Sequence, residues 1–346
     1  MTADCPTDHP YVPAPKDHDP EKLRKYWSIA KGLQAVDGLE PSEYLIQLSE
    51  ETIAGKRTLE ESGESIRYYY FESPGMFSGV TDGEDDDNRL HTVGVTGLDT
   101  PDDSSVRGRG SDGLGHRPLK TEVAGSNAGG AAKRGLEADL VTQRIAELLA
   151  RGAFMFAPEM LTHIHAYLFQ DLDCGTYKPG QLKSESLLKR EDILNGDSVS
   201  YADPALVEAS LRIAFEDESG NAYGTTFDEE ALENLVTFIA RIWQVHPFVE
   251  GNTRTVAVFT VLYLNDLGYD ITNEPFEHHS RYFRDALVRA IYRNPKAQAF
   301  PDPSFLIGFL DSVLNGTEAD FSSDKLKVES LFDDPALLRN RPAEVE

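Results

Sequence analysis

Between residues 21 and 36 the chain repeats apolar residues every three or four positions. Leu23, Tyr26, Trp27, Ala30 and Leu33 fall on one face of a predicted helix. That helix should stop at Asp37 and Gly38, with Pro41 close behind as a second stop signal. Two shorter helical stretches follow, one opened by Ser42 and one over TLEESGESIRYYYFE. Three helices of this size bury too little surface to stand alone, so the unit over residues 21–71 is expected to dock on a larger body.

On both sides of that unit the periodicity fails. Residues 1–20 are polar and proline-rich and are expected to be disordered. Residues 72–135 are rich in Gly, Asp and Ser and read as a flexible linker or insertion, because nothing in them offsets the entropy of ordering. The RGRG at 107–110 reads as part of that solvated linker.

From 136 to 316 the helical period returns. FAPEMLTHIHAYLF places Pro158 at a first helical position. Leu232, Leu235, Ile239, Ile242 and Trp243 form one stripe. TRTVAVFTVLYLNDLG is apolar nearly all round, which predicts a helix at the centre of a bundle. SRYFRDALVRAIY is a further amphipathic helix. Only ILNGDSVSY, Ile193 to Tyr201, breaks the pattern: a hairpin-type NGD turn beside β-leaning residues predicts one small hairpin. Residues 317–346 are acidic and read as a tail. The fold class expected is mainly all-α, a helical bundle with a small β-hairpin and an N-terminal three-helix module.

Charge narrows the function. With 59 acidic against 33 basic residues and a net charge of −26, a nucleic-acid partner is not expected. The start of the chain lacks a basic segment followed by an apolar one, and no apolar run is long enough to span a bilayer, so neither secretion nor a membrane is expected. Two cysteines, Cys5 and Cys174, provide neither a disulfide framework nor a zinc site, which fits a cytoplasmic protein. The two histidines of HIH, His163 and His165, point apart on a helix and are discounted as a metal pair.

The densest polar cluster is QVHPFVEGNTRT, residues 244–255, set between two apolar helices. GNTR lies where the second helix starts, and a helix N-terminus offers unpaired N–H groups and a positive dipole end to an anion. Gly251 lets a phosphate approach the backbone, Asn252 brings an amide and Arg254 a planar cation. Glu250 would repel bare phosphate unless magnesium bridged the two. His246 has the pKa of a proton acceptor. Each residue also has an ordinary structural reading, as a cap, a dipole partner or a turn. Read alone, they reach only a phosphate or nucleotide site.

HPFVEGNTR, residues 246–254, resembles the signature of Fic-domain proteins, most known members of which transfer AMP from ATP to a hydroxyl of a target protein. LTHIHAYLFQDL, ILNGDSVSYADP and YFRDALVRA resemble further family segments in the family's order, so about half the chain is covered. The resemblance implies His246 as general base, Phe248 as core anchor and Glu250 as Mg2+ ligand. It implies Gly251 and Asn252 at the α-phosphate and Arg254 at the β-phosphate, with Thr253 among the nucleotide-binding positions. Residues Ile193, Leu194, Asn195, Gly196, Asp197, Ser198, Val199, Ser200 and Tyr201 would form a flap that aligns the target by strand pairing. The partner implied is a protein bearing a Ser, Thr or Tyr hydroxyl, the chain itself included. Two departures stand out: Thr253 replaces the usual glycine, and Ala257 stands where many members carry a second arginine for the γ-phosphate.

GLQAVDGLEPSEYLIQLSEETIAGKRTLEE resembles the small helical antitoxin that accompanies some Fic toxins. Its inhibitory glutamate corresponds to Asp37, one methylene shorter, and the serine before it corresponds to Leu33. The implied activity is therefore a protein adenylyltransferase restrained by its own N-terminal helices. A Fic-related phosphotransferase, another nucleotidyltransferase, and a nucleotide-binding protein with impaired catalysis remain the alternatives.

Overall fold

The structure is a computed structural model and describes residues 19–72, 128–172 and 176–339. Residues 1–18 of the stretch read as disordered over 1–20, and 73–127 of the linker read over 72–135, RGRG included, lie outside the described residues, as do Cys174 and residues 340–346.

Helix α1, Pro20–Leu33, is capped by Asp19, whose side chain accepts from the backbone of Glu21 and Lys22. A 3-10 turn over Gln34–Asp37 then closes on Gly38 at φ +62°, a left-handed conformation suited to glycine. Ser42 opens α2, Glu43–Ile53, by accepting from Leu45 N–H at 3.1 Å, and α3, Leu59–Arg67, carries a capping box between Thr58 and Glu61. These helices do dock. Helix α1 packs against α4, Ala128–Arg151, and α9, Glu274–Ile291, with Trp27, Ile29, Ala30 and Leu33 wholly buried. A Cβ at Gly32 would meet the carbonyl oxygen of Phe276 at 2.2 Å, so only glycine allows α1 to lie so close to α9. Asp139 of α4 fastens the start of α2, accepting from Ser42 N at 2.8 Å and Ser42 Oγ at 2.6 Å.

The larger body is the predicted bundle. Helix α4 begins at Ala128, inside the stretch read as linker. Helix α5, Pro158–Phe169, starts with proline at its first position, and α6 spans Val207–Ser219. The stripe of α7, Glu229–Val245, is buried as predicted, from Leu232 to Trp243. Every residue from Asn252 to Leu264 of α8, Asn252–Asp266, is buried, with α4, α5 and α7 packed around it. Helices α10, Ser304–Asn315, and α11, Glu329–Asp333, complete the described chain. No helix among the described residues is long and apolar enough to cross a membrane.

Two expectations change. The predicted hairpin is not paired strand: among the described residues no named strand forms, and Ile193–Tyr201 is a tight loop with a 3-10 turn over Asp192–Leu194. Its turn chemistry is as read, with Asn195 at φ +52° and Gly196 at φ +83°, and the turn closes on Glu191, which accepts from Gly196 N and donates to Asp197 O, but no strand ladder follows. The second change concerns the acidic segment after residue 316, which packs instead of trailing. Leu326 and Leu331 are wholly buried, Val328 N donates to Ile193 O at 3.1 Å, and Asn195 Nδ2 donates to Leu331 O at 2.9 Å. Arg339 reaches Asp197 Oδ2 at 3.3 Å and donates to the carbonyl of Ser198. Residues 323–339 thus strap the loop at 193–201 to the bundle.

Candidate functional site

Helix α7 ends at His246, held in the left-handed region at φ +50°, where its N–H returns to Trp243 O at 3.0 Å. That turn carries the chain through Pro247–Glu250 to Gly251, at φ +76°, and into α8. A Cβ on Gly251 would lie 2.3 Å from Cε2 of Phe169. Glycine is therefore required by packing as well as by backbone conformation. The hydrogen-bonded ladder of α8 begins with Thr255 N to Gly251 O, which leaves the N–H groups of Asn252, Thr253 and Arg254 outside it.

The loop is braced from within. Asn252 accepts from Phe248 N at 3.0 Å and donates to Phe248 O at 2.7 Å, so its amide is engaged and its backbone N–H is what faces an anion. Phe248 is wholly buried and stacks on His165, ring centroids 3.8 Å apart. His165 accepts from Gly180 N at 2.9 Å through Nδ1, which leaves Nε2 to donate to Glu250 O at 3.0 Å. Burial, more than anything else, pushes its pKa down to about 3, and the neutral ring fixes the loop. His163 is exposed, so the two histidines do point apart, and no metal-binding cluster occurs among the described residues.

Thr253 accepts from the indole N–H of Trp243 at 3.0 Å. The hydroxyl at this motif position thus satisfies a buried donor of α7.

His246 is 3 % exposed, and neither ring nitrogen has a hydrogen-bond partner. Tyr201 lies over it at 4.0 Å and Trp243 meets it edge-on at 5.6 Å. Burial drives its pKa well below the usual value, with Lys189, Lys183 and Arg284 adding repulsion, so the imidazole is neutral. Lys183 itself is pushed down to about 8 by burial and donates to Val245 O at 3.0 Å.

His246, Glu250, Gly251, Asn252, Thr253 and Asp37 line one cleft of about 430 Å³, together with Lys189 and Arg284. Glu250, half exposed, pairs with Lys189 at 2.7 Å. Arg284 of α9 pairs with the buried Glu191 at 2.8 Å, and Tyr201 OH also reaches Glu191, at 3.3 Å.

Arg254 sits behind the cleft and is 1 % exposed. Its Nε lies 2.8 Å from Asp37 Oδ2, an ion pair off the N–H direction, since no aligned hydrogen bond is made there. Nη2 donates to Glu137 Oε1 at 2.9 Å and to Tyr177 OH at 3.0 Å, and Nη1 reaches Gln34 Oε1 at 3.3 Å. The guanidinium also lies over the Phe169 ring at 4.9 Å. Burial opposes the charge, yet Asp37, Tyr177 and Glu137 hold it firmly protonated.

The motif residues and Asp37 therefore meet at one cleft. Of the loop at 193–201, Tyr201 reaches His246, while Ile193, Leu194, Asp197, Ser198 and Val199 are buried. Its carbonyls are already engaged: Ile193 by Val328 N–H, Ser198 by Arg339, Val199 by Ser198 Oγ and Ser200 by Gln244 at 3.4 Å. Glu137, Tyr177, Lys189, Arg284 and His165 were not foreseen in these roles. Each lies far from the motif in sequence, and only helix packing brings them to it.

Comparison with known families gives one match: the family described as Fic/DOC family, over residues 155–264. No curated protein and no solved structure matches the chain.

Proposed function

Residues 155–264 give this chain a Fic domain, and from that premise we propose that it is a protein adenylyltransferase. It would join a Ser, Thr or Tyr hydroxyl of a protein target to the α-phosphorus of ATP and release pyrophosphate. The observation that carries the reading is His246: a neutral imidazole, buried, with both nitrogens unpartnered, beside a helix N-terminus that offers three free N–H groups. A base must be unprotonated and uncommitted to take a hydroxyl proton, and this one is both.

The residues present fit a magnesium nucleotide. Magnesium is commonly held by one or two carboxylates with the rest of its shell from phosphate and water, and Glu250 supplies one half-exposed carboxylate at the cleft. Magnesium held by Glu250 would offset the charge of the phosphates. Lys189 would leave Glu250 for the phosphates, and the N–H groups of Asn252, Thr253 and Arg254 would cradle the anion. Tyr201 must swing from the His246 ring before a target hydroxyl can reach Nε2 or Nδ1.

The same reading makes the N-terminal helices inhibitory. Asp37 lines the cleft and neutralises Arg254, so it competes with phosphate for that cation. Because the contact is misaligned and Asp37 is 39 % exposed, the restraint is partial. Incubation with ATP labelled on the α- or the γ-phosphate tests the activity. Label entering protein from the α-position is expected. Label from the γ-position alone would make the chain a phosphotransferase, and none from either would make it a binding protein.

A further inference from the structure

Tyr201, whose ring lies over His246, also lines the first of two joined grooves that the motif does not include. The smaller, about 320 Å³, starts at Tyr201 and Val245 and runs past Ile213, and the larger, about 580 Å³, crosses the outer face of α7 toward Arg293 and Arg339. They share Ser200, Arg241 and Gln244. In a chain with 59 acidic and 33 basic residues, their lining holds three arginines and no carboxylate. That reversal of local charge decides what kind of partner fits.

Three carboxylates beside the grooves already have partners. Asp197 is buried against Tyr292 and Arg339, and Asp302, between two lining prolines, accepts from Ser304 and faces Arg289. Asp217 meets Arg241 at 2.6 Å, but both side chains are well exposed, so the pair is weak and exchangeable. Arg293 is exposed and has no ion-pair partner among the described residues.

We propose that this groove takes an extended acidic segment of the protein substrate, with the hydroxyl to be modified at the Tyr201 end. The proposal rests on the transfer reading above for the word substrate, but the docking itself needs no nucleotide. Carboxylates on the segment replace Asp217 on Arg241 and pair with Arg293, while its backbone runs past Ser200 and Gln244. Partners with basic segments are repelled both by the groove and by the field of the whole chain.

The test uses the full-length protein and two fluorescein-labelled decapeptides, one of serine and glutamate and one of serine and lysine, read by anisotropy at about 150 mM salt. The glutamate peptide is expected to bind and the lysine peptide not. Arg241→Glu with Arg293→Glu should weaken binding by about tenfold or more, equivalent to the loss of one strong charged contact. A matched reversal on the exposed face of α1, Lys22→Glu with Arg24→Glu, should leave it unchanged. Affinity for magnesium-ATP should stay the same in both variants. Equal binding by the wild-type and groove-reversed proteins, or no binding of the glutamate peptide, overturns the proposal. So does a peptide of residues 79–104, itself acidic, that binds the groove more tightly than the glutamate peptide: the occupant is then the chain's own segment. If the groove behaves as expected while no α-label is transferred, the docking stands and the adenylyltransferase reading falls.

Discussion

Asp37 Oδ2 lies 2.8 Å from Arg254 Nε, which links the last residue of the first helical turn-off to the motif arginine 217 positions along the chain. Glu137, from α4 of the bundle itself, holds the same guanidinium at 2.9 Å. Two carboxylates from two parts of the chain therefore share one cation. Asp37→Ala is expected to raise transfer of α-label about fivefold, the scale of a half-exposed ion pair near 1 kcal/mol. Adding Glu137→Gln should raise it further. An Asp37→Ala protein with wild-type transfer and wild-type magnesium-ATP affinity would remove Asp37 from any inhibitory role. Deletion of residues 1–72 is a poorer test, because it would bare the faces of α4 and α9 that cover Trp27 and Leu33.

His246→Ala should lower transfer by about a hundredfold to ten-thousandfold, the usual contribution of a positioned base. Nucleotide affinity, measured by calorimetry, should change little, since the phosphate-facing N–H groups belong to Asn252, Thr253 and Arg254.

The depressed pKa of His246 has a kinetic sign and a stability sign. The base stays neutral below pH 6.5, so the acid limb of the pH–rate profile should fall below that value, and Lys189→Met should move it upward. For stability, the unfolded chain takes up a proton near 6.5 while the folded chain does not. The contribution is whole above pH 6.5 and is lost as pH falls toward the folded value, at about 1.4 kcal/mol per pH unit. His246→Gln should flatten the pH dependence of urea unfolding by that slope between pH 6.5 and 5; an unchanged slope would mean that His246 titrates normally.

Thr253→Val should destabilise the fold by about 1–3 kcal/mol, because the buried indole N–H of Trp243 loses its acceptor. Thr253→Ser keeps the hydroxyl and should restore most of the loss. Urea midpoints of the three proteins decide it.

Helices with a clean period were legible in the sequence: the stripe of α7, the all-round apolar α8 and the face of α1 are all buried. The antitoxin-like resemblance singled out Asp37, which the structure places 2.8 Å from Arg254. The loop at 193–201 was misread because turn residues specify only a local bend. Whether strands follow depends on partners such as Arg339 and Val328, more than a hundred residues away. The segment after residue 316 hides its packing for a different reason. Its buried residues, Leu326, Val328 and Leu331, are too few and irregular to produce a period. Glu137, Lys189 and Arg284 carry no local mark at all, since a surface charge and a site charge look alike until helices are packed.

The chain contains two tryptophans, and they report on different events. Trp27 is sealed where α1 meets α4 and α9, so its emission should shift to the red only when the N-terminal helices lift away. Trp243 lies 5.6 Å from the His246 ring and is bonded to Thr253 at the cleft wall, so its emission should respond to whatever fills the cleft. With Trp27→Phe and Trp243→Phe as single-emitter proteins, stopped-flow fluorescence would time the release of the module and the arrival of nucleotide separately, without any added dye.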